Sequence, residues 1–254
     1  MNFTELKDFL DEKASQYNHP AFIGSDPVSI PHRFDRKEDI EIAGFLTATL
    51  SWGNRLSILK SASRLMELLG NSPYDFILNH KRRNLDRFQG FVHRTFNTED
   101  LTYFATALRF ICLEKGGLER LFTENATAES VLPAIEHFKQ VFFSLPHPSR
   151  TEKHISDPAK GSVAKRINMY LRWMVRNDNR GVDFGLWKGI RPAALSCPLD
   201  LHTGNVARKL GLIHRKQNDL KALAELDSHL RKMDPKDPVK YDYALFGLGI
   251  FEKF

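Results

Sequence analysis

Asp200, His202 and Thr203 place a carboxylate, an imidazole and a hydroxyl within four residues, directly behind the apolar Cys197-Pro198-Leu199. Two readings fit. Asp200 or Thr203 caps the helix of Val206, Leu210 and Leu212 by accepting one of its free N–H groups. Alternatively Asp200 faces a cleft and does chemistry. A second candidate is Gly161-Ser162, where a glycine turn and a capping serine open a helix through Lys165. Backbone N–H groups at such a start attract phosphate, and Lys165 in the first turn adds a cation at the same end. Lys165, Arg172 and Arg176 fall at spacings of 0, 7 and 11 and share one face. The rest of that helix is largely apolar. Arg172 and Arg176 are therefore expected to pair with acids of another element, which leaves Lys160 and Arg208 as the better phosphate contacts. A third candidate is the turn after the apolar run Ile42–Leu50, which presents Trp52, Asn54 and Arg55.

The elements that must position these residues read as helices. Apolar periodicity, with acids at helix starts, predicts helices over 3–16, 39–50, 56–69, 73–80, 98–114, 117–123, 127–143, 163–177, 203–211, 218–232 and 238–250. The three prolines within 18–37 predict an irregular connection, and 144–162 reads as a polar connector. Alternating strand patterns are scarce and no repeat is present, so the fold class is all-α. We expect two lobes: 36–175 as a helical bundle, and 1–35 with 176–254 as a second lobe carrying Asp200. The hairpin and the Asp200 helix start meet in the cleft between them, where ligand sites tend to form.

The chain has 254 residues, 42% apolar and 27% charged, the composition of a globular protein with a sizeable core. Its net charge of +6 favours a polyanionic partner, and residues 149–180 alone carry an excess of five positive charges. No apolar run approaches the ~20 residues that cross a bilayer. The N-terminus lacks the basic-then-apolar order of a signal peptide. A cytoplasmic protein with no membrane partner is expected. Two cysteines, Cys112 and Cys197, cannot by themselves hold an iron–sulfur cluster or a four-cysteine zinc site. No second His/Asp/Glu cluster joins Asp200 and His202 at ligand spacing, so no metal and no cofactor is expected, and a metal-dependent hydrolase is the remotest class.

GSVAKRINMYLRWM followed by CPLDLHTGNVARKLGL resembles the core of the helix–hairpin–helix DNA glycosylases, the endonuclease III superfamily. IAGFLTATLSWGNRLSILKSA is similar to that superfamily's early apolar helix and the turn that approaches DNA, and DPVKYDYALFGLGI to its last helix. The resemblance covers most of 39–250, thinly between 70 and 150. LRWMVR, DFGLW and DPVKYDYALFGLG also resemble a bacterial family of uncharacterised function. Three departures stand out. Val163 replaces the second glycine of the hairpin, where a β-branched residue cannot take a positive φ without strain. Lys165 and Asp200 lie 35 residues apart, farther than in endonuclease III-like members, although an archaeal branch active on 8-oxoguanine has a comparably long gap. The C-terminal four-cysteine cluster is absent.

The resemblance implies a base-excision N-glycosylase, possible lyase action included, on a damaged base such as an oxidised purine flipped from double-stranded DNA. Lys165 falls on the nucleophilic lysine and Asp200 on the catalytic aspartate that stabilises a cationic sugar. A neutral amine at Lys165 needs a cationic neighbour or desolvation, and Arg166, the helix start, Val163 and Trp187 are the groups on offer. Trp187 and Phe184, between the two candidates, either sandwich the base or pack in the core. His202 either orients, faces DNA or is structural. Asn54 or Arg55 either fills the gap left by the base or is solvated at a helix end. Lys160, Gly161, Ser162, Trp52 and Arg208 complete the implied DNA contacts. A monomer associated with the nucleoid follows. The alternative is a non-catalytic DNA- or RNA-binding protein that keeps the fold.

Overall fold

Two acids in the first turn and an apolar run behind them make Lys37–Leu50 (α2) a helix that enters the core end-on. In the computed structural model, which describes residues 1–254, every α2 residue from Ile40 to Leu50 is buried. Around α2 stand α3 (Arg55–Leu68), α4 (Pro73–Asn79), α5 (Thr98–Glu114), α6 (Leu118–Thr123), α7 (Leu132–Phe142) and α8 (Lys165–Val175). Their apolar faces meet in a ring-rich centre: Phe45 contacts Phe104, Phe138, Phe142 and Tyr170. Burying each such ring contributes about 1.5–3 kcal/mol. The fold is all-α, as expected, apart from one short hairpin. There β1 (Val92–His93) pairs antiparallel with β2 (Phe96–Asn97). Strands of two residues leave no alternation to read in the sequence.

A second, smaller core joins α1 (Phe3–Tyr17), α9 (Leu201–Lys209), α10 (Leu220–Met233) and α11 (Tyr241–Ile250) through Leu10, Val206, Leu226 and Leu245 among others. The axes of α1 and α11 approach closely at Gly247, where a Cβ would lie 2.1 Å from the Tyr17 ring.

The division between the cores differs from the expected 36–175 against 1–35 plus 176–254. Phe22, Val28 and Ile30, and the stretch from Val182 to Leu195, pack into the larger core. Backbone hydrogen bonding explains the second part. The last carbonyls of a helix lack intrahelical partners, and those of α8 take them from the segment that follows: Phe184 N–H donates to Trp173 O at 2.8 Å and Trp187 N–H to Met174 O at 2.9 Å. The irregular 18–37 run contains three 3-10 turns, opened by Pro20, Pro27 and Pro31. The helix expected from 127 starts at Leu132, because Thr127 and Ser130 close a turn on each other and Pro133 opens the helix. No helix is long and apolar enough to cross a membrane.

Candidate active site between the two cores

The hairpin that opens α8 solves the problem posed by Val163 by moving the left-handed residue. Gly161 has φ 83° and Ala164 φ 44°, while Val163 keeps a negative φ. Ala164, fully buried, is the N-cap residue of α8. A non-glycine residue in this region costs on the order of 1 kcal/mol. Ser162, expected to cap the helix, instead accepts the Ala164 N–H at 3.2 Å, a short turn that holds the strained residue. Gly161 O accepts the N–H of Leu220 at 3.1 Å, which ties the hairpin to the start of α10.

Asp200 is the N-cap of α9: Oδ1 accepts the Thr203 N–H at 3.0 Å. The helix thus begins at Leu201 rather than 203, and Thr203 is buried with no partner for its hydroxyl. The other oxygen, Oδ2, lies 3.7 Å from Lys165 Nζ, with the two side chains 23% and 26% exposed. A pair so accessible contributes about 0–1 kcal/mol, so it adds little to stability. Asp200 is held from behind. Asn218 Nδ2 donates to Asp200 O at 2.8 Å, and Arg208 donates to Asn218 Oδ1 and Arg215 O. Asp227 accepts the Cys197 N–H at 2.9 Å, and Arg231 donates to Leu195 O at 2.8 Å. Arg208, expected on phosphate, is therefore a support for the Asp200 loop.

Lys165 and Asp200 line a cleft of about 710 Å³ between the cores. Trp52, Arg55 and His202 line it too, as the sequence suggested. His202 is exposed. Trp52 is half-buried, with the Arg94 guanidinium over its ring at 4.5 Å and no partner for its indole N–H. Arg55 lies over Phe246 at 5.3 Å. Asn54 is not among the lining residues: it caps α3 by accepting the Ser57 N–H at 3.2 Å. Lys160 and Gly161 are exposed on the hairpin flank.

Trp187 and Phe184 are absent from the cleft. Their backbone bonds fix them at the far end of α8, an 11-residue helix about 16 Å long. Trp187 is 1% exposed, packs on Phe122 and Tyr170, and donates its indole N–H to Glu41 at 2.6 Å. Burial pushes the Glu41 carboxyl up to about 7. Phe184 stacks on His32 at 4.2 Å. Trp187 is a core residue and does not desolvate Lys165, and Phe184 is partly buried against the same core.

Arg166 does not face Lys165 as a free cation either. It donates to Thr49 O and to His154 O, and burial pulls its guanidinium down to about 10. Much of the positive excess in 149–180 is committed in the same way. Arg150 is bound to Asp100 at 2.7 Å and Arg180 to Ser15 O at 3.1 Å. Arg172 pairs with Asp183 and Asp242, and Arg176 with Asp183, Asp237 and Asp178, the structural pairing expected of them.

Sequence reasoning missed Asp26, Asn218 and Phe246. Asp26 belongs to a run without periodicity; its one signal was the Asp-Pro pair, which caps and opens a 3-10 turn. Leu201, 65% exposed on the cleft wall beside Asp200, was also missed. No group of three or more His, Cys, Asp or Glu side chains is assembled at metal-ligand geometry. Cys112 and Cys197 are free thiols, and burial pushes the Cys112 thiol up to about 11, which disfavours a reactive thiolate.

Fold and site together define an all-α protein of two cores whose facing helix starts bring a lysine and an aspartate into one cleft. The chain belongs to the family described as "protein of unknown function (DUF2400)", whose profile matches residues 26–251. No curated protein and no solved structure matches it.

Proposed function

We propose that the chain is a DNA base-excision N-glycosylase with Schiff-base lyase action, working on a damaged base, such as an oxidised purine, flipped from a duplex. The observation that carries this reading is the approach of Lys165 Nζ to Asp200 Oδ2 at 3.7 Å on a cleft of about 710 Å³. That volume falls in the range of small-ligand sites. Breaking a base–sugar bond builds positive charge on the sugar, and Asp200 is the carboxylate beside it. Lys165 supplies the amine that attacks the sugar carbon. The hairpin around Gly161 and Ser162, with Lys160 on its flank, and the rim at Trp52 and Arg55 contact the DNA backbone. His202 faces the same ligand. Such an activity belongs with nucleoid DNA in the cytoplasm.

A second reading is a DNA- or RNA-binding protein without turnover. It is favoured by the position of Trp187 and Phe184 in the core, which removes the expected aromatic sandwich for a flipped base. Borohydride trapping separates the two. Duplexes carrying abasic, 8-oxoguanine, uracil or hypoxanthine sites are mixed with the protein and with Lys165→Gln. A covalent adduct lost in the variant supports the enzyme. Binding with neither adduct nor base release on any duplex favours the second reading.

A further inference from the structure

Asp26 plays no part in the chemistry above. It sits at the start of the 3-10 turn Pro27–Ser29, is 7% exposed, and accepts the Val28 N–H through Oδ1 at 3.0 Å. Its other oxygen has no donor within the protein. Asp26 lines the main cleft and also a cavity of about 30 Å³ behind it, and Lys165, Asp200, Met169 and Phe246 line both. Asp26 and Asp200 therefore share one concave surface with Lys165, while Asp242, which lines only the small cavity, is paired with Arg172. The surroundings of Asp26 and Asp200 differ. Asp200 opens a helix, faces Lys165 at 3.7 Å and is partly solvated. Asp26 is buried, and burial pushes its carboxyl up although the Val28 N–H, Arg172, Arg55 and Lys165 pull the other way. Where two carboxyl groups in one site have environments this unlike, acid and electrostatic roles divide between them, and burial favours the protonated form of the inner one.

Building on the base-excision reading, we propose that Asp26 is the acid of the site, the group that protonates the departing base while Asp200 faces the sugar. As the bond from C1′ to the base nitrogen breaks, its electron pair goes to the base. The Asp26 proton follows, so the base leaves neutral and Asp26 becomes a carboxylate. The lone pair of the Lys165 amine forms the new bond to C1′, and the surplus proton on that nitrogen leaves to water in the open cleft. Asp26 regains its proton from solvent. The substrate class follows: damaged bases carried by uncharged nucleosides, which would depart as anions without a proton.

Asp26→Asn tests the assignment, because asparagine keeps the Val28 cap and the volume but has no acidic proton. Single-turnover base release is measured on whichever of the 8-oxoguanine, uracil and hypoxanthine duplexes the wild type processes. Borohydride trapping is measured on a preformed abasic duplex, where the base has already gone. Thermal melting controls for folding. Base release is expected to fall about a hundredfold or more, with abasic trapping unchanged within about twofold. Asp26→Glu restores part of the release. Base release by Asp26→Asn at the wild-type rate overturns the role of Asp26 and leaves the base-excision reading standing. Equal loss of release and trapping also overturns it, since Asp26 would then act through Lys165. A wild-type protein that neither frees a base nor traps abasic DNA removes the base-excision reading and this assignment together. One that traps abasic DNA but frees no base removes this assignment alone.

Discussion

At the first turn of α8, Lys165 meets one carboxylate, Asp200, and about a quarter of each side chain is in solvent. Two and three turns along the same helix, Arg172 and Arg176 meet four, Asp183, Asp242, Asp237 and Asp178, and are 4% and 2% exposed. All three cations lie on one face of one helix. The difference lies in what a charge needs when water is removed. The arginines are deep, so each is matched by several acceptors and rests over the Tyr243 ring, at 4.3 Å for Arg172. Burial still pushes the Asp242 carboxyl up to about 6 against the pull of Arg172. Lys165 is shallow and has a single ion-pair partner. One end of α8 locks the cores together, and the other leaves its lysine on an open cleft.

The sharpest break in this comparison is Lys165→Gln. It is expected to abolish the borohydride adduct completely while melting within a few degrees of the wild type, because the pair it removes stabilises by about 0–1 kcal/mol. At the other end, Arg172→Met strands Asp242 without its cation and takes one of two from Asp183. A loss of about 3–5 kcal/mol is expected in denaturant titrations. Equal and small losses for the two variants would erase the distinction.

Glu41 extends the comparison to a buried acid without a close cation, its nearest being Lys37 at 3.9 Å. Its carboxyl is raised from 4.5 to about 7 by burial. Between those values the folded chain holds more protons than the unfolded chain. Stability from this group is therefore full below about pH 4.5 and is lost as pH rises through 7. Glu41→Gln should remove a pH dependence on the order of 2–3 kcal/mol between pH 5 and 8, read from melts at both. A wild-type curve with the opposite slope that is unchanged in the variant would exclude it.

Asn54→Ala is the smallest effect. Loss of the α3 cap costs about 1 kcal/mol, and the ratio of affinities for lesion and undamaged duplex should not change. A selective loss on lesion DNA would return Asn54 to the cleft.

Most helices were legible because their caps and periods are local. Asn97 and the acids behind it mark the start of α5, and the run to Leu50 ends where the turn residues begin. The Lys165–Asp200 meeting was legible only as two helix starts in order. The sequence left Trp187 between cleft and core because its position depends on which unpaired carbonyls its segment reaches, a three-dimensional matter with no period in sequence. Asp26 was lost for the same reason in the proline-rich run. Val163 signalled an altered hairpin correctly, but the residue that absorbs the turn, Ala164, carries no mark of it.

The contact between α1 and α11 sets an order in time. The smaller core needs helices from both ends of the chain, more than 220 residues apart. During synthesis at about 5–20 residues per second, α1 waits on the order of ten to fifty seconds for the helix that covers it. The wall of the cleft that carries Asp200 belongs to this core. The larger core also takes Val239 and Tyr243 from this part of the chain, so both cores, and the cleft between them, are completed only after α11 has emerged.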